Sequence, residues 1–372
     1  MKIVYLIAGT FNSGGMERVL TNKANWLVRN GYDVTVVTTD QRGRKPYFTL
    51  DDGIATYDLG INYDETNGHL LKKILLYPFK QWHHRQRLEK LLKALKADVV
   101  VCMYNNDMSF VYQIDDGSRK VLETHFSRNK KLQYNRRGLW ALADSWRTQK
   151  EEQYVRQYDK FVVLTKEDKQ LWGNLPNMVV IPNAHTFESE TQTDITQKRV
   201  LAIGRYDYQK GFDTLLDIWH QLGDKNEGWT LDIVGDGPLR ESLQQQKTCL
   251  QLKNVNLLPP TDDVKRLYSR ASIVVMTSRY EGLPMVLLEA QACGLPIVAF
   301  ACKCGPRDVI SDGVDGFLVE EGNEKQFAGR LSVLMHDTNL RRRMSDAAYA
   351  NSVNYGTDAI MKKWEQLLSS LQ

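Results

Sequence analysis

An α/β fold built as two Rossmann-like domains with parallel sheets is what this sequence predicts. Three observations lead there. Short apolar runs alternate with amphipathic stretches of helical period, which is the pattern of βαβ units. The pattern starts afresh near Val200, after a polar stretch at 184–198 that is poor in apolar residues. The length of 372 residues exceeds one ordinary core, whereas two domains of roughly 150–200 residues are a normal division.

The first strand is expected at Ile3–Ala8, followed by a loop over Gly9–Gly15. A helix with Leu20, Ala24 and Leu27 on one face comes next, and Gly31 sits just past its end. Further strands are expected at Val34–Thr38, Val99–Met103, Lys120–Glu123 and Phe161–Leu164. The second half offers strands at Val200–Ile203, Thr230–Val234, Val255–Leu258, Ile273–Met276, Pro296–Phe300 and Gly316–Val319. Helices fall between them near Phe212–Leu222, Leu239–Gln246, Val264–Ser269 and Pro284–Cys293. Ile360, Trp364, Leu367, Leu368 and Leu371 share a helical spacing, so one terminal helix is expected over Tyr349–Leu371. The expected division is 1–183, a linker at 184–198, 199–348, and a terminal helix at 349–372 that packs back on the first domain.

Composition bounds the class. Apolar residues at 42% and charged residues at 25% are ordinary for a globular chain. Residues 1–185 carry a net charge of +8 and the remainder −4. The basic half suits an anionic partner such as phosphate or a membrane surface; ordinary scatter of surface charge is the alternative. Five cysteines, with a lone Cys302-Lys-Cys304 and no second pair, argue against a zinc site and for a reducing compartment. Residues 1–8 are too short for a signal segment and no apolar run approaches 18 residues, so a cytoplasmic location is expected.

Several loops carry chemistry. Gly204-Arg-Tyr-Asp-Tyr-Gln-Lys-Gly211 leaves a strand and enters a helix. Its Arg205 and Lys210 stand at a strand's carboxyl end, where open α/β sheets bind ligands; a fork and a point charge there suit a diphosphate, though basic loop residues are often merely solvated. Glu281 precedes the helix that begins near Pro284, whose N-terminus offers N–H groups to an anion. Glu289 lies two turns on among Val286, Leu287, Leu288, Ala290 and Ala292, where a carboxylate needs a partner. A ribose diol is one such partner; a single polar edge on the helix is the other explanation. Ser13-Gly-Gly-Met-Glu17 follows the first strand and lets backbone N–H groups approach a phosphate, unless the glycines serve only a tight turn. His125 ends the run Val121–Thr124. The chain lacks GxGxxG, which disfavours a dinucleotide oxidoreductase.

Taken together these motifs resemble the retaining glycosyltransferases of family 4, which have the GT-B fold: two Rossmann-like domains with sheets facing across a cleft. The resemblance rests on IPN at 181–183, GRYDYQKGFDTLL at 204–216, VGDGPLR at 234–240, TSRYEGLPMVLLEAQACGLP at 277–296, DGVDGFLV at 312–319 and GGMER at 14–18. It implies an acceptor-side first domain and a nucleotide-sugar-binding second domain. It implies that Arg205 and Lys210 bind the donor diphosphate, that Glu289 holds the ribose, and that Glu281 with the backbone of Leu283, Pro284 and Met285 meets sugar and phosphate. His125 would sit beside the reacting sugar, Gly15 and Glu17 would join the donor site as the cleft closes, Gly204 would line it, and Pro259 would flank the base. The co-substrate is expected to be a UDP-sugar, with no cofactor and no metal; no DxD is present. CKCGP at 302–306 departs from the Gly-Gly pair common in the family and is similar to forms in bacterial polysaccharide and lipid-linked oligosaccharide enzymes.

Residues 69–97 carry eight Lys/Arg and one acid, and Pro78 divides them. Leu88, Leu91, Leu92 and Leu95 form one helical face, and Phe79 and Trp82 add aromatic anchors. This segment suits a membrane interface or, equally, a crossover helix with a solvated basic face. Lys72, Lys73, Trp82, Arg85, Arg87 and Arg128, with the basic run that continues to Arg137, are the candidate contacts to an anionic membrane and a polyprenyl-diphosphate-linked glycan acceptor at the cytoplasmic face of the inner membrane. Nucleic acid is not expected. A UDP-sugar epimerase or a non-enzymatic sugar-nucleotide-binding protein on the same scaffold are the alternatives.

Overall fold

The computed structural model describes residues 1–66, 69–128, 148–187 and 192–372. The chain forms two compact units, Met1–Ile181 together with Met361–Gln372, and Pro182–Ile360.

In the first unit the described strands are β1 (Lys2–Ile7), β2 (Asp33–Thr38), β3 (Ala55–Asp58), β4 (Val99–Cys102), β5 (Arg119–Glu123), β6 (Lys160–Val163) and β7 (Met178–Val180). They pair in parallel in the order β3-β2-β1-β4-β5-β6-β7, with Ile3 level with Val34 on one side and Val99 on the other. β1 and β4 are apolar and buried along nearly their whole length, as strands covered on both faces must be. Helix α1 (Gly15–Arg29) buries Leu20, Ala24 and Leu27, and Gly31 follows at φ +83°. β3 is exposed along its length and β7 has three residues, so neither shows a periodic signal in the sequence.

Helix α2 (Leu70–Leu95) corrects one expectation. Pro78 lies inside it and does not divide it. Leu88 and Leu92 are fully buried in the first unit's core, with Leu91 and Leu95 packed beside them. The leucine face is therefore a crossover face, not a membrane face. The exposed apolar side chains of α2 lie earlier, at Ile74, Leu75, Leu76, Tyr77, Phe79 and Trp82. Helix α3 (Lys166–Leu171) is capped by Thr165 Oγ1, which accepts from Asp168 N at 3.0 Å.

The second unit alternates β8 (Arg199–Ile203), α4 (Phe212–Leu222), β9 (Thr230–Val234), α5 (Arg240–Cys249), β10 (Val255–Leu258), α6 (Val264–Tyr268), β11 (Ile273–Met276), α7 (Met285–Ala292), β12 (Ile297–Phe300), α8 (Pro306–Val309) and β13 (Gly316–Val319). Its described strands run parallel in the order β10-β9-β8-β11-β12-β13. Leu215, Leu216 and Trp219 of α4 pack with Val200, Leu231 and Phe327 in its core. Helices α9 (Glu324–His336), α10 (Thr338–Ser352) and α11 (Thr357–Ser369) complete the chain. The single terminal helix expected over 349–371 is in fact two: α10 ends at Ser352, a 3-10 turn spans Val353–Tyr355, and the extended backbone of Gly356 separates them. The apolar stripe of Ile360, Trp364, Leu367, Leu368 and Leu371 is buried as its spacing requires.

His84 of α2 is buried against Tyr63, whose hydroxyl lies 3.1 Å from Nδ1, and edge-on to Phe110. Burial pushes its imidazole down to about 4. A histidine held neutral in the fold protonates more readily unfolded, so its contribution is intact above pH 6.5 and is lost as pH falls toward 4. The linkage amounts to about 3 kcal/mol at full extent. Urea unfolding of His84→Leu should show a shallower loss of stability between pH 6.5 and 4 than the parent; an unchanged slope would assign the acid sensitivity elsewhere.

Candidate active site

In the second unit the strand order reverses between β8 and β11, and the loops that leave their carboxyl ends carry the residues of interest. Gly211 enters α4 at φ +64°, and a Cβ there would lie 2.3 Å from the Thr277 carbonyl oxygen. Only glycine permits that approach. The two loops are tied across this seam. Thr277 Oγ1 donates to Gly211 O at 2.9 Å, Arg279 N to Gln209 O at 2.8 Å, Arg279 Nη1 to Tyr208 O at 2.6 Å, and Gln209 Nε2 to Tyr280 O at 2.9 Å. Arg279 Nη2 also donates to Asp213 Oδ2 at 2.7 Å. Glu281 N donates to Lys303 O at 2.8 Å, so the 302–306 segment positions the glutamate loop from the other side.

These ties bring Lys210 and Glu281 together. Lys210 Nζ lies 2.7 Å from Glu281 Oε1, with side-chain exposures of 19% and 8%. The stem of Lys210 lies across Gly204, where a Cβ would come within 3.0 Å of three of its carbons. Arg205 is not drawn into this pair. Its side chain is 71% exposed and 3.9 Å from Asp207, a surface contact of little energetic weight.

Glu289 projects from α7 into a polar niche of its own. Its Oε1 accepts from Thr186 Oγ1 at 2.6 Å and its Oε2 from Tyr268 OH at 2.8 Å. The partner that a buried carboxylate needs is thus supplied by the chain itself. Burial and the neighbouring Glu289 raise the Tyr268 hydroxyl well above its ordinary range, so it remains a donor. Pro284 is the residue before α7 rather than within its first turn, and Met285 is the first helical residue. Leu283 and Pro284 are buried beneath Gly305, which at φ +99° would place a Cβ 2.5 Å from Pro284 Cδ. Pro259 is exposed after β10, whose Leu258 carbonyl accepts from Tyr206 OH at 3.0 Å.

In the first unit Gly14 precedes α1, and a Cβ on Gly15 would meet nothing within 4 Å. Glu17 is buried and accepts from Asn12 Nδ2 at 3.3 Å; its Oε2 would lie 2.3 Å from a Cβ on Gly14. Its carboxylate therefore occupies the electropositive start of the helix. His125 follows β5 with Nε2 3.3 Å from Glu123 Oε1. Burial pushes its imidazole down to about 4, so the ring is neutral near pH 7. Behind it Glu123 accepts from Lys23 Nζ, at 2.6 Å on Oε1, and the lysine lies 4.0 Å from the Trp364 ring centroid.

Of the basic candidates, Lys72, Lys73 and Trp82 are exposed. Arg85 donates to Gln113 Oε1, Arg87 to the carbonyls of Leu59 and Gly60, and Arg128 to Glu152 Oε2 at 2.9 Å, stacked over Trp172. The remainder of the run to Arg137 lies outside the described residues, as does 188–191 of the expected linker. Sequence reasoning gave no site role to Gln209, Thr277, Arg279, Tyr268, Lys23 and Trp364. Each acts by contact with a residue distant in the chain, which no local pattern reveals.

Parallel α/β units with a charged pair at the strand-order reversal place a ligand site where open α/β sheets carry one, and comparison with known proteins gives the class. The family described as Glycosyltransferase Family 4 matches residues 13–186, and that described as Glycosyl transferases group 1 matches residues 185–351. The amylovoran biosynthesis glycosyltransferase AmsD of Erwinia amylovora is 31% identical over 381 residues, covering 99% of both chains. A Campylobacter jejuni alpha-1,4-N-acetyl-D-galactosaminyltransferase, named for a diNAcBac-PP-undecaprenol-linked substrate, is 27% identical over 100% of this chain and 99% of its own. The structure of a S. aureus TarM mutant with Fondaparinux, alpha-GlcNAc-glycerol and UDP superposes at a TM-score of 0.79, with 18% identity over 99% of each chain. The chain belongs to the family 4 glycosyltransferases and has the GT-B fold.

Tyr268→Phe removes one of the hydroxyls on which the buried Glu289 carboxylate relies. Loss of a donor to a buried charge costs about 1–3 kcal/mol. Urea unfolding at pH 7 should show that decrease, and Tyr268→Phe in a Glu289→Leu background should show much less of it. Equal losses in both backgrounds would mean that the hydroxyl does not serve Glu289.

Proposed function

We propose that this glycosyltransferase moves a hexose or N-acetylhexosamine from a UDP-sugar, with retention at the anomeric carbon and without a divalent metal, to a glycan or polyprenyl-diphosphate-linked glycan of a bacterial surface polysaccharide or glycoconjugate. The observation that carries the proposal is the Lys210–Glu281 pair, tied into place at the carboxyl ends of β8 and β11. Departure of a nucleoside diphosphate builds negative charge on its β-phosphate. Lys210, the exposed Arg205 and the N-terminus of α7 are the groups proposed to meet it. Glu281, held by Lys303 O and Lys210, is proposed to orient sugar hydroxyls, and Glu289 to take the ribose by exchanging Thr186 for a ribose hydroxyl. His125 is proposed to contact the transferred sugar. Retention is assigned to attack on the face the leaving group departs from, the departing phosphate taking the acceptor proton. The AmsD name and the undecaprenol-linked substrate in the C. jejuni name support the acceptor class, and the UDP in the TarM complex supports the base.

A thermal-shift screen of UDP-, GDP- and ADP-sugars should raise the melting temperature with UDP-sugars, because a ligand bound only by the folded state stabilises it. With the donor so found, Lys210→Ala should reduce turnover by on the order of a hundredfold, through lost charge stabilisation in the transition state. The parent's rate should persist in EDTA. Near-normal turnover of Lys210→Ala would reject the assigned site, and conversion of the donor to a new sugar nucleotide without acceptor would favour an epimerase.

The acceptor side is proposed to meet an anionic membrane. No helix among the described residues is long and apolar enough to cross one. On α2, however, Phe79 is 67% and Trp82 60% exposed, close to Ile74, Leu75, Lys72 and Lys73. Apolar anchors beside lysines fit an anionic bilayer interface rather than a neutral protein partner. Flotation with phosphatidylglycerol vesicles should recover the protein, and Phe79→Ser/Trp82→Ser should abolish recovery with the fold intact. Failure of the parent to float would remove the membrane from the proposal.

A further inference from the structure

The buried cluster behind His125 has no assigned role. Lys23 of α1 and Glu123 of β5 are 4% and 2% exposed, a hundred residues apart in sequence, and both carboxylate oxygens accept from the one ammonium. Trp364 of α11 covers the lysine at 4.0 Å and Tyr5 of β1 flanks it at 5.4 Å. Three distant stretches thus converge on one ion pair. A buried pair of this kind is a poor source of stability, since apolar residues of similar size fill such a place as well or better. Its position suggests a different use. Glu123 Oε1, which takes the lysine, also lies 3.3 Å from His125 Nε2. A ring nitrogen that turned its lone pair toward a carboxylate oxygen at that distance would be repelled. A nitrogen bearing hydrogen is attracted, even where the angle falls short of a full hydrogen bond, as here.

We propose that Lys23 and Glu123 are positioning residues: Lys23 fixes the Glu123 carboxylate by donating to both of its oxygens, Glu123 keeps the proton of His125 on Nε2, and the Nδ1 lone pair is thereby presented as an acceptor for a hydroxyl of the sugar substrate. Trp364 covers the lysine of the pair, so the chain's C-terminal helix takes part in setting the His125 ring. No bond is made or broken by Lys23 or Glu123. The inference rests on His125 contacting the sugar, and its test separates the two.

Ring 15N shifts of histidine-labelled full chain at pH 7.5, assigned by the signals lost in His125→Asn, should show a single Nε2–H tautomer. The double variant Lys23→Met/Glu123→Leu replaces the pair by apolar groups and is expected to fold. In it the His125 ring should leave that single tautomer, and UDP release from the donor selected by the thermal-shift screen should fall at least tenfold in kcat with KM little changed. Lys23→Arg, which keeps the charge, should retain both tautomer and rate and remains informative if the double variant fails to fold: loss of the Nε2–H tautomer in folded Lys23→Arg would overturn the proposal. Retention of tautomer and kcat in the double variant would also overturn it, because the pair would then be structural only. A His125→Asn protein with the parent's kcat would refute the sugar contact, while the tautomer result would still decide the positioning chain.

Discussion

The reversal of strand order at β8 and β11 is the constraint on which the candidate site depends. The crossover from β8 leads to β9 and that from β11 to β12, so the two loops part as they leave the sheet. A parting of loops makes room for a ligand but leaves long side chains without support. The chain answers with a seam of backbone contacts. Gly211 and Thr277 touch closely enough to exclude any β-carbon, Arg279 N donates to Gln209 O, and the side chains of Gln209 and Arg279 donate to the carbonyls of Tyr280 and Tyr208. Lys210 and Glu281 are therefore set by hydrogen bonds among their neighbours rather than by their own attraction.

That distinction decides what the pair can do. A half-buried lysine beside a glutamate is partly neutralised, so it does not act as a bare cation. What the glutamate contributes is fixed placement, since the ammonium sits in a single position with its stem laid over Gly204. Arg205 is the complement: freely solvated, uncommitted and adjacent. Glu289 is handled differently again. Hydroxyl dipoles from Thr186 and Tyr268 meet its two oxygens. A hydroxyl-lined carboxylate exchanges one hydroxyl for another at little change in charge, which is why a sugar diol suits it.

The architecture was legible because buried parallel strands read as continuous apolar runs and amphipathic helices as a 3.6 period, and both patterns are local. The ends were less so. Pro78 reads as a break, yet α2 runs through it, held in place by Leu88 and Leu92 in the core. The terminal helix reads as continuous because its stripe is, while Gly356 quietly splits it. The motif residues of the candidate site were visible as types: Lys210, Glu281 and Glu289 stand out as charges in apolar or glycine-rich surroundings. Their partners were not visible. Tyr268 and Thr186 lie 21 and 103 residues from Glu289, and Lys303 reaches Glu281 through a carbonyl that any residue possesses. A backbone acceptor leaves no mark on sequence.

Both units place a lysine–glutamate pair toward the carboxyl ends of their central strands, and burial separates the two. Lys210 retains 19% of its side-chain surface, so an arriving anion can share its charge directly. Lys23 retains 4% and lies against the rings of Trp364 and Tyr5, so it is closed to a ligand. A charge that cannot meet a ligand can still act through the next residue in line, because in a low-dielectric interior the field of an ionised carboxylate falls on its neighbour with little screening. For Glu123 that neighbour is His125. The same pair of side chains is thus open to a ligand in one unit and closed to it in the other, which is what the proposed roles of contact and support require.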